Sequence, residues 1–133
     1  MHKATDIRPV AAQLYLLPVQ LRLPLKFGAE VLTSVTCARV RLTVTGRGGR
    51  QADGWGETPL SIQWIWPSSA SYQQRYEAVV EFTASLCRAW SDFSAEGHAL
   101  EVGHTFQEQL LPALLNRFNT QLAARGLEPM PYL

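Results

Sequence analysis

Residues 35–45 (VTCARVRLTVT) constrain the fold more than any other segment of the chain. Their side chains alternate between two series along the whole segment. One series is Ala38, Val40, Leu42 and Val44, and the other is Cys37, Arg39, Arg41 and Thr43. Successive side chains of a strand point to opposite faces, so this pattern predicts a half-buried β-strand. One face of the resulting sheet packs inward, and the other carries arginines into water.

Turn signals and a second alternating segment place this strand inside a three-stranded meander. Residues 46–50 (GRGGR) end the alternation, and Asp53-Gly54 is a favoured turn pair, so the chain is predicted to double back into a short strand over residues 54–58. An earlier extended segment has one apolar series, formed by Tyr15, Leu17, Val19, Leu21 and Leu23. Pro18 interrupts this first strand, because proline cannot donate a ladder hydrogen bond.

Two segments without a sustained period follow the first and third strands. Residues 24–34 (PLKFGAEVLTS) are predicted to form a loop, and a loop of this length inside a compact domain is uncommon unless it has a function. Residues 59–69 contain Trp64, Trp66 and Pro67 and are predicted to form a second ordered loop. Both loops are therefore candidates for a binding site.

The second half of the chain is predicted to be helical. Residues 71–74 (SYQQ) have the pattern of a capping box and open an apolar stripe that ends near Trp90. Residues 105–108 (TFQE) have a second capping-box pattern, Pro112 predicts a kink or restart nearby, and Gly126 marks the helix end. The predicted fold class is α+β, with a three-stranded antiparallel meander sheet followed by a small helical bundle.

Length and charge limit the classes of function. The 133 residues suit one domain, residues 1–133, in which residues 127–133 (LEPMPYL) read as the start of a linker. A net charge of +1 with scattered cations favours neither nucleic acid nor membrane as a partner. No membrane span or secretory signal is recognised, so a cytoplasmic location is expected. Cys37 and Cys87 are interpreted as small buried hydrophobic residues.

An ordered set of segments resembles a known enzyme part. The segments are residues 24–34 (PLKFGAEVLTS), 35–44 (VTCARVRLTV), 53–61 (DGWGETPLS), 97–104 (GHALEVGH) and 128–131 (EPMP). Together they resemble the N-terminal capping domain of the enolase superfamily, in its mandelate racemase and muconate lactonizing enzyme branch.

The resemblance implies a lid rather than a complete enzyme. In that family a (β/α)₈ barrel of about 250 residues follows the capping domain and carries the acid–base residues and the carboxylates that bind Mg²⁺. The family reaction removes a proton α to a carboxylate, as a racemase, dehydratase or cycloisomerase does. The expected partners are thus a C-terminal barrel and a small carboxylate substrate, and no catalytic residue and no metal ligand is assigned to this chain.

The resemblance also implies which residues contact the substrate. Lids of this kind exclude water and select the ligand when they close. The first loop would supply Leu25, Lys26, Phe27 and Gly28, and the second would supply Trp64 and Trp66.

Two other functions stay open from the sequence. Trp55, Trp64 and Trp66 could form an aromatic platform that binds a sugar or a peptide. The chain could also be a stand-alone dimerising domain, and a homo-oligomer is then expected.

Several polar residues have a structural interpretation that we favour over a chemical one. Glu57 is a lone carboxylate and is expected to tie a turn to backbone amides. His98 and His104 lack a third metal ligand. Residues 46–50 lack the lysine and hydroxyl residue of a phosphate-binding loop and are expected to form a hairpin tip.

Overall fold

The computed structural model describes residues 3–131, with only the backbone of Phe27, and consists of an antiparallel sheet followed by helices. The three strands are β1 (Ile7–Phe27), β2 (Glu30–Gly46) and β3 (Gln51–Pro59), hydrogen-bonded in the order β1-β2-β3. The helices are α1 (Ile62–Ile65), α2 (Tyr72–Ser91), α3 (Ala99–Thr105) and α4 (Leu111–Ala124), with a π-helical turn (Phe106–Leu110) between the last two. This order confirms the predicted α+β fold. No helix in the described part of the chain is long and apolar enough to cross a membrane.

The predicted loop over residues 24–34 is wrong, because most of it is a β-hairpin. Leu25 pairs with Leu32 and Lys26 with Val31, and only Gly28 and one further residue connect the strands. Gly28 has φ 61, a backbone conformation that glycine adopts at little steric cost. The β1–β2 register shifts between residues 20 and 25, so this irregularity removes the regular period that would reveal a strand.

The β2–β3 hairpin is regular and longer than predicted. Its pairing runs without a shift from Cys37↔Pro59 to Thr45↔Gln51. Asp53-Gly54 therefore lies inside β3 and does not form a turn. The chain reverses instead at residues 46–50, as predicted for a hairpin tip, where two glycines have positive φ.

Helix α2 starts as predicted, but its buried face is rotated. The Ser71 hydroxyl accepts from the Gln74 backbone N–H at 3.2 Å and the Gln74 side chain accepts from the Ser71 N–H at 3.2 Å, which completes the capping box. Tyr72 is exposed although it belongs to the predicted apolar stripe. The buried positions of α2 are Arg75, Ala78, Val79, Phe82 and Cys87. Cys37 and Cys87 are buried free thiols, as predicted.

Helix α2 lies at the centre of the core. The Phe82 and Phe118 rings stack with centroids 5.0 Å apart, which joins α2 to α4. Near its C-terminal end, Trp90 stacks on Phe106 at 4.1 Å, which joins α2 to the π-helical turn. The core also contains Ala38 of β2, so the sheet and the helices share one hydrophobic cluster.

The third helix starts earlier than the sequence pattern predicts. His98 caps α3, since its Nδ1 accepts from the Leu100 N–H at 3.3 Å and Glu101 accepts from the His98 N–H at 3.0 Å. Thr105, the predicted cap, lies at the end of α3 and donates its hydroxyl to the Glu101 carbonyl at 2.8 Å. The predicted restart beside Pro112 is confirmed by the π-helical turn that precedes α4.

The segment after α4 is bound to the domain surface. The Asn119 side chain forms two hydrogen bonds with the backbone of Met130. Its Nδ2 donates to the Met130 carbonyl at 3.0 Å, and its Oδ1 accepts from the Met130 N–H at 2.8 Å. Hydrogen bonds from the Ser68 and Ser69 hydroxyls, with the larger effect from Ser68, lower the pKa of the Glu128 carboxyl below its ordinary value. Residues 127–131 are thus anchored, and residues 132 and 133 of the predicted linker lie outside the described part.

We predict that Asn119→Ala destabilises the fold by about 1–2 kcal/mol, because both polar groups of the Met130 peptide lose a half-buried partner. Urea unfolding measures the loss, and hydrogen exchange should rise at residues 127–131. Asn116→Ala is the matched control, because Asn116 is exposed on the same helix. An equal loss of stability in both variants would contradict the assigned role of Asn119.

A second prediction concerns the ion pair that joins α2 to the end of α4. Arg125 donates two hydrogen bonds of 2.8 Å to Glu81, and these lower the pKa of the Glu81 carboxyl from its ordinary 4.5. A carboxyl with a lowered folded-state pKa stabilises the fold above its unfolded pKa, and the contribution is lost as pH falls through the folded pKa. The thermal midpoint of Glu81→Gln should therefore lie below wild type near neutral pH and converge with it below about pH 4. Glu77→Gln is the control, because Glu77 accepts from the neutral Gln73; a gap of constant size at every pH would rule out the linkage.

Candidate functional site

The tip of the β1–β2 hairpin lies beside α1 and forms a cleft with it. The cleft has a volume of about 180 Å³ and is lined by Leu25, Leu32, Ser61, Gln63 and Trp64. The two segments singled out from the sequence therefore meet in space through Leu25 and Trp64. We call these five residues, together with Lys26, Gly28 and Val31, the hairpin–α1 surface.

A second cleft lies beside the first, along the open edge of β2. It has a volume of about 380 Å³ and is lined by residues 30–34, Gln63 and Tyr72. Strand β3 ends opposite Cys37, so no strand among the described residues pairs with residues 30–34 on that side. Leu32 and Gln63 line both clefts, so the two clefts are neighbours.

Large apolar side chains are exposed around the two clefts. Leu25 is 53% exposed, Val31 60% and Trp64 70%. A single exposed apolar residue is ordinary, but several at one end of a domain are typical of a surface that a ligand or another domain covers.

Lys26 lies on the other face of the hairpin from the cleft. Leu25 and Leu32 are cross-strand partners and both line the cleft. Alternate residues of a strand face opposite ways, so Lys26 and its partner Val31 lie on the strand face opposite to Leu25 and Leu32. Val31 lines the second cleft but not the first. The predicted substrate contacts Leu25 and Lys26 are neighbours in sequence but are not on one face.

The predicted positions Phe27 and Gly28 lie at the tip of the hairpin. The backbone of Phe27 ends β1, and its side chain lies outside the described part of the structure. Gly28 supplies the positive φ that the connection needs, and a Cβ built there meets no atom within 4 Å. Its role here is conformational, because it sets the direction in which the hairpin tip points.

Trp66 does not reach the surface. It is 1% exposed and belongs to the hydrophobic core, whereas Trp64, two residues earlier, points into solvent. Trp55 lies on the opposite face of the sheet from α2, 5.9 Å from the Tyr15 ring. The three tryptophans therefore do not form the aromatic platform considered from the sequence.

Buried residues on both sides hold Trp64 in place. Ile62 and Trp66 are both buried in the core. The buried guanidinium of Arg75 donates to the Trp66 carbonyl at 2.8 Å and to the Ala70 carbonyl at 3.1 Å. These hydrogen bonds give partners to two backbone carbonyls in the connection between α1 and α2, which have no partner within a helix.

Tyr72 is the polar aromatic group of the second cleft. Burial raises the pKa of its phenol, and the neighbouring Tyr76 and the Glu30 carboxylate raise it further. The phenol therefore stays protonated and can donate a hydrogen bond toward a ligand in the cleft. Tyr76 stacks on Tyr72 at 6.2 Å and exchanges a 2.9 Å hydrogen bond with the Thr36 hydroxyl, which fixes both rings against β2.

The polar residues considered for chemistry have structural partners. Glu57 pairs with Arg39 across the strands at 2.5 Å and does not tie a turn as predicted. His98 caps α3, in line with its structural interpretation. Within residues 3–131, no group of three or more histidine, cysteine or acidic side chains is arranged to hold a metal ion. The two clefts can therefore bind a ligand through a concave surface and apolar contacts.

Sequence reasoning missed Gln63 and Tyr72 as cleft residues. Gln63 lies in a stretch read as loop, and Tyr72 was assigned to the apolar stripe of a helix. A usable signal was Gly28-Ala29, since a glycine-containing pair between Leu-Lys-Phe and Glu-Val-Leu marks a hairpin whose tip must face some neighbour.

Comparison of the chain with models of protein families, with curated proteins and with solved structures found no match in any of the three.

We predict that Arg75→Met loosens the segment that presents Trp64. The Trp66 and Ala70 carbonyls lose their donor, and we expect a loss of about 2–3 kcal/mol in the free energy of unfolding. Hydrogen exchange should rise at residues 61–70 before other regions. Arg88→Met serves as control, because Arg88 is exposed on the same helix; unchanged exchange at residues 61–70 in Arg75→Met would contradict the positioning role.

Proposed function

We propose that this chain is the capping domain of an enolase-superfamily enzyme of the mandelate racemase and muconate lactonizing enzyme branch. In this proposal it covers an active site housed in a C-terminal (β/α)₈ barrel and selects a small carboxylate substrate. The barrel would supply the acid–base groups and would hold Mg²⁺, whose charge would favour removal of a proton α to the carboxylate. The chain alone is not catalytic.

The observation that carries the proposal is the convergence of the hairpin tip and α1 at one end of the domain. The hairpin tip lies in residues 24–34, one of the stretches that resemble the family, and α1 directly follows another, residues 53–61. Leu25 and Trp64 face one cleft there although many residues separate them in sequence.

The hairpin–α1 surface suits a lid for a physical reason. Its exposed side chains are mainly apolar, so closing it over a bound substrate removes apolar area from water and favours closure. A closed, dry site strengthens the electrostatic interactions with the developing charge. Leu25 and Trp64 would form the wall that contacts the substrate, while Lys26, on the other hairpin face, would lie at the border with the barrel.

The test uses the natural polypeptide that contains these residues. With Mg²⁺ in deuterated water, it should exchange the α proton of one member of a panel of carboxylates, followed by NMR. Trp64→Ala should lower kcat/KM for that substrate about tenfold, mainly through KM, because one apolar wall is lost. The 133-residue chain alone should exchange no α proton.

Trp55→Ala is the matched control, since Trp55 is 60% exposed but lies outside the hairpin–α1 surface. It should leave KM unchanged. Equal effects of the two variants would overturn the assignment of the surface, and α-proton exchange by the 133-residue chain alone would overturn the lid function itself.

A further inference from the structure

Strand β3 is an edge of the sheet whose only charged side chains are the acidic Asp53 and Glu57. Every residue of Gln51–Pro59 is exposed, and its pairing with β2 is free of bulges. Edge strands normally carry lysine, proline or a bulge that prevents further pairing. Strand β3 has no lysine, and its proline is the last residue. The backbone groups on its outer side are therefore available for another strand.

An apolar cleft lies beneath this edge, on the face that α2 covers. It has a volume of about 390 Å³ and lies between β3 and the flank of α2. Gly56 and Thr58 line it from the strand, and Leu86, Cys87 and Trp90 from the helix. Gly56 has open space where a Cβ would stand, so the cleft has room for a side chain of an added strand.

The outward face of β3 determines what kind of strand fits. Asp53, Trp55 and Glu57 alternate with Gly54, Gly56 and Thr58, so their side chains project from the opposite face of the strand. Glu57 also contributes to the cleft lining. The Thr43 hydroxyl donates to Asp53 at 2.6 Å but carries no charge, so it leaves the carboxylate negative. Arg39 compensates Glu57. The position opposite Asp53 on an added strand therefore favours a lysine or an arginine.

A second copy of β3 is disfavoured by the same charges. Antiparallel self-pairing about Trp55 places Asp53 of one copy opposite Glu57 of the other, and like charges directly opposite each other destabilise a sheet. The acidic side chains thus act against symmetric association and favour a basic partner.

We propose that the β3 edge binds an extended peptide segment as a fourth strand. The segment has apolar side chains at alternate positions, which enter the cleft between β3 and α2, and basic side chains on the other face, one of them opposite Asp53. Main-chain hydrogen bonds supply affinity, and the cleft and the carboxylate supply selectivity. This surface is separate from the hairpin–α1 surface, so the inference does not rest on the proposed lid function.

The test titrates the 133-residue protein with a synthetic peptide of about seven residues in which valine and lysine alternate. Amide NMR signals of residues 51–59 and side-chain signals of Leu86 and Trp90 should shift. A peptide of the same composition with its lysines grouped together, and one with glutamate in place of lysine, should bind at least about tenfold more weakly.

Two variants with the same glycine-to-leucine change distinguish an effect on the cleft from a general effect on the fold. Gly56→Leu fills the cleft and should weaken binding about tenfold. Gly54→Leu is the control, because Gly54 is on the same face with equally open space but does not line the cleft, and it should bind as wild type does. Asp53→Asn, which keeps the oxygen that accepts from Thr43, should weaken binding about two- to fivefold.

Three outcomes would overturn the proposal. The first is an absence of shifts at residues 51–59 in the wild-type protein, and the second is equal binding of all three peptides. The third is a concentration-dependent dimer in sedimentation equilibrium that Gly56→Leu abolishes, since the occupant would then be a second copy. If Gly56→Leu fails to give the wild-type circular dichroism spectrum, the peptide comparison on the wild-type protein decides alone.

Discussion

The packing of α2 against both the sheet and α4 is the interaction on which the rest of the structure depends. Phe82 stacks on Phe118 of α4, and Val79 and Ala78 share one core with Ala38 of the sheet. Burying each large apolar side chain contributes about 1.5–3 kcal/mol relative to exposure. Without this central helix the three strands would have no inner layer, and a small sheet with both faces open to water buries too little apolar surface to be stable.

The position of the candidate site follows from that core. Ile62 and Trp66 are anchored in it, and the short helix between them must then turn Trp64 outward. Arg75 of the central helix binds the following connection through two carbonyls. The hairpin tip reaches the same end of the molecule because β1 and β2 extend beyond β3. The apolar side chains of the tip are therefore exposed because these two strands are longer than β3.

Apolar surface is left uncovered in two separate places. At the hairpin–α1 surface the exposed groups are side chains, and the concave region suits a ligand or another domain. At the β3 edge the open groups include the backbone, and the cleft beneath them suits an extended segment. A charged fraction of 17% is modest for a free surface, which agrees with an exterior that is partly covered when the protein functions.

The β-strand over residues 35–45, the α2 capping box, the restart beside Pro112 and the α+β class followed from the sequence alone. Each depends on neighbours in the chain: alternation along an extended backbone, a hydroxyl within reach of the first turn, or a ring that removes a donor. The sequence was misleading where local signals were irregular or duplicated. The register shift before Leu25 interrupts the alternation, so the end of β1 was predicted as a loop. Thr105 matches the pattern of a helix N-cap, but the observed N-cap of α3 is His98.

The sequence by itself therefore determined the central strand, the start of α2 and the fold class, because backbone geometry responds to residues a few positions away. Only the tertiary structure decided that Trp66 is buried and Trp64 exposed, that Leu25 shares a cleft with Trp64, and that Lys26 faces the other way. Those outcomes depend on which element packs against each side chain, and such contacts join residues far apart in the chain.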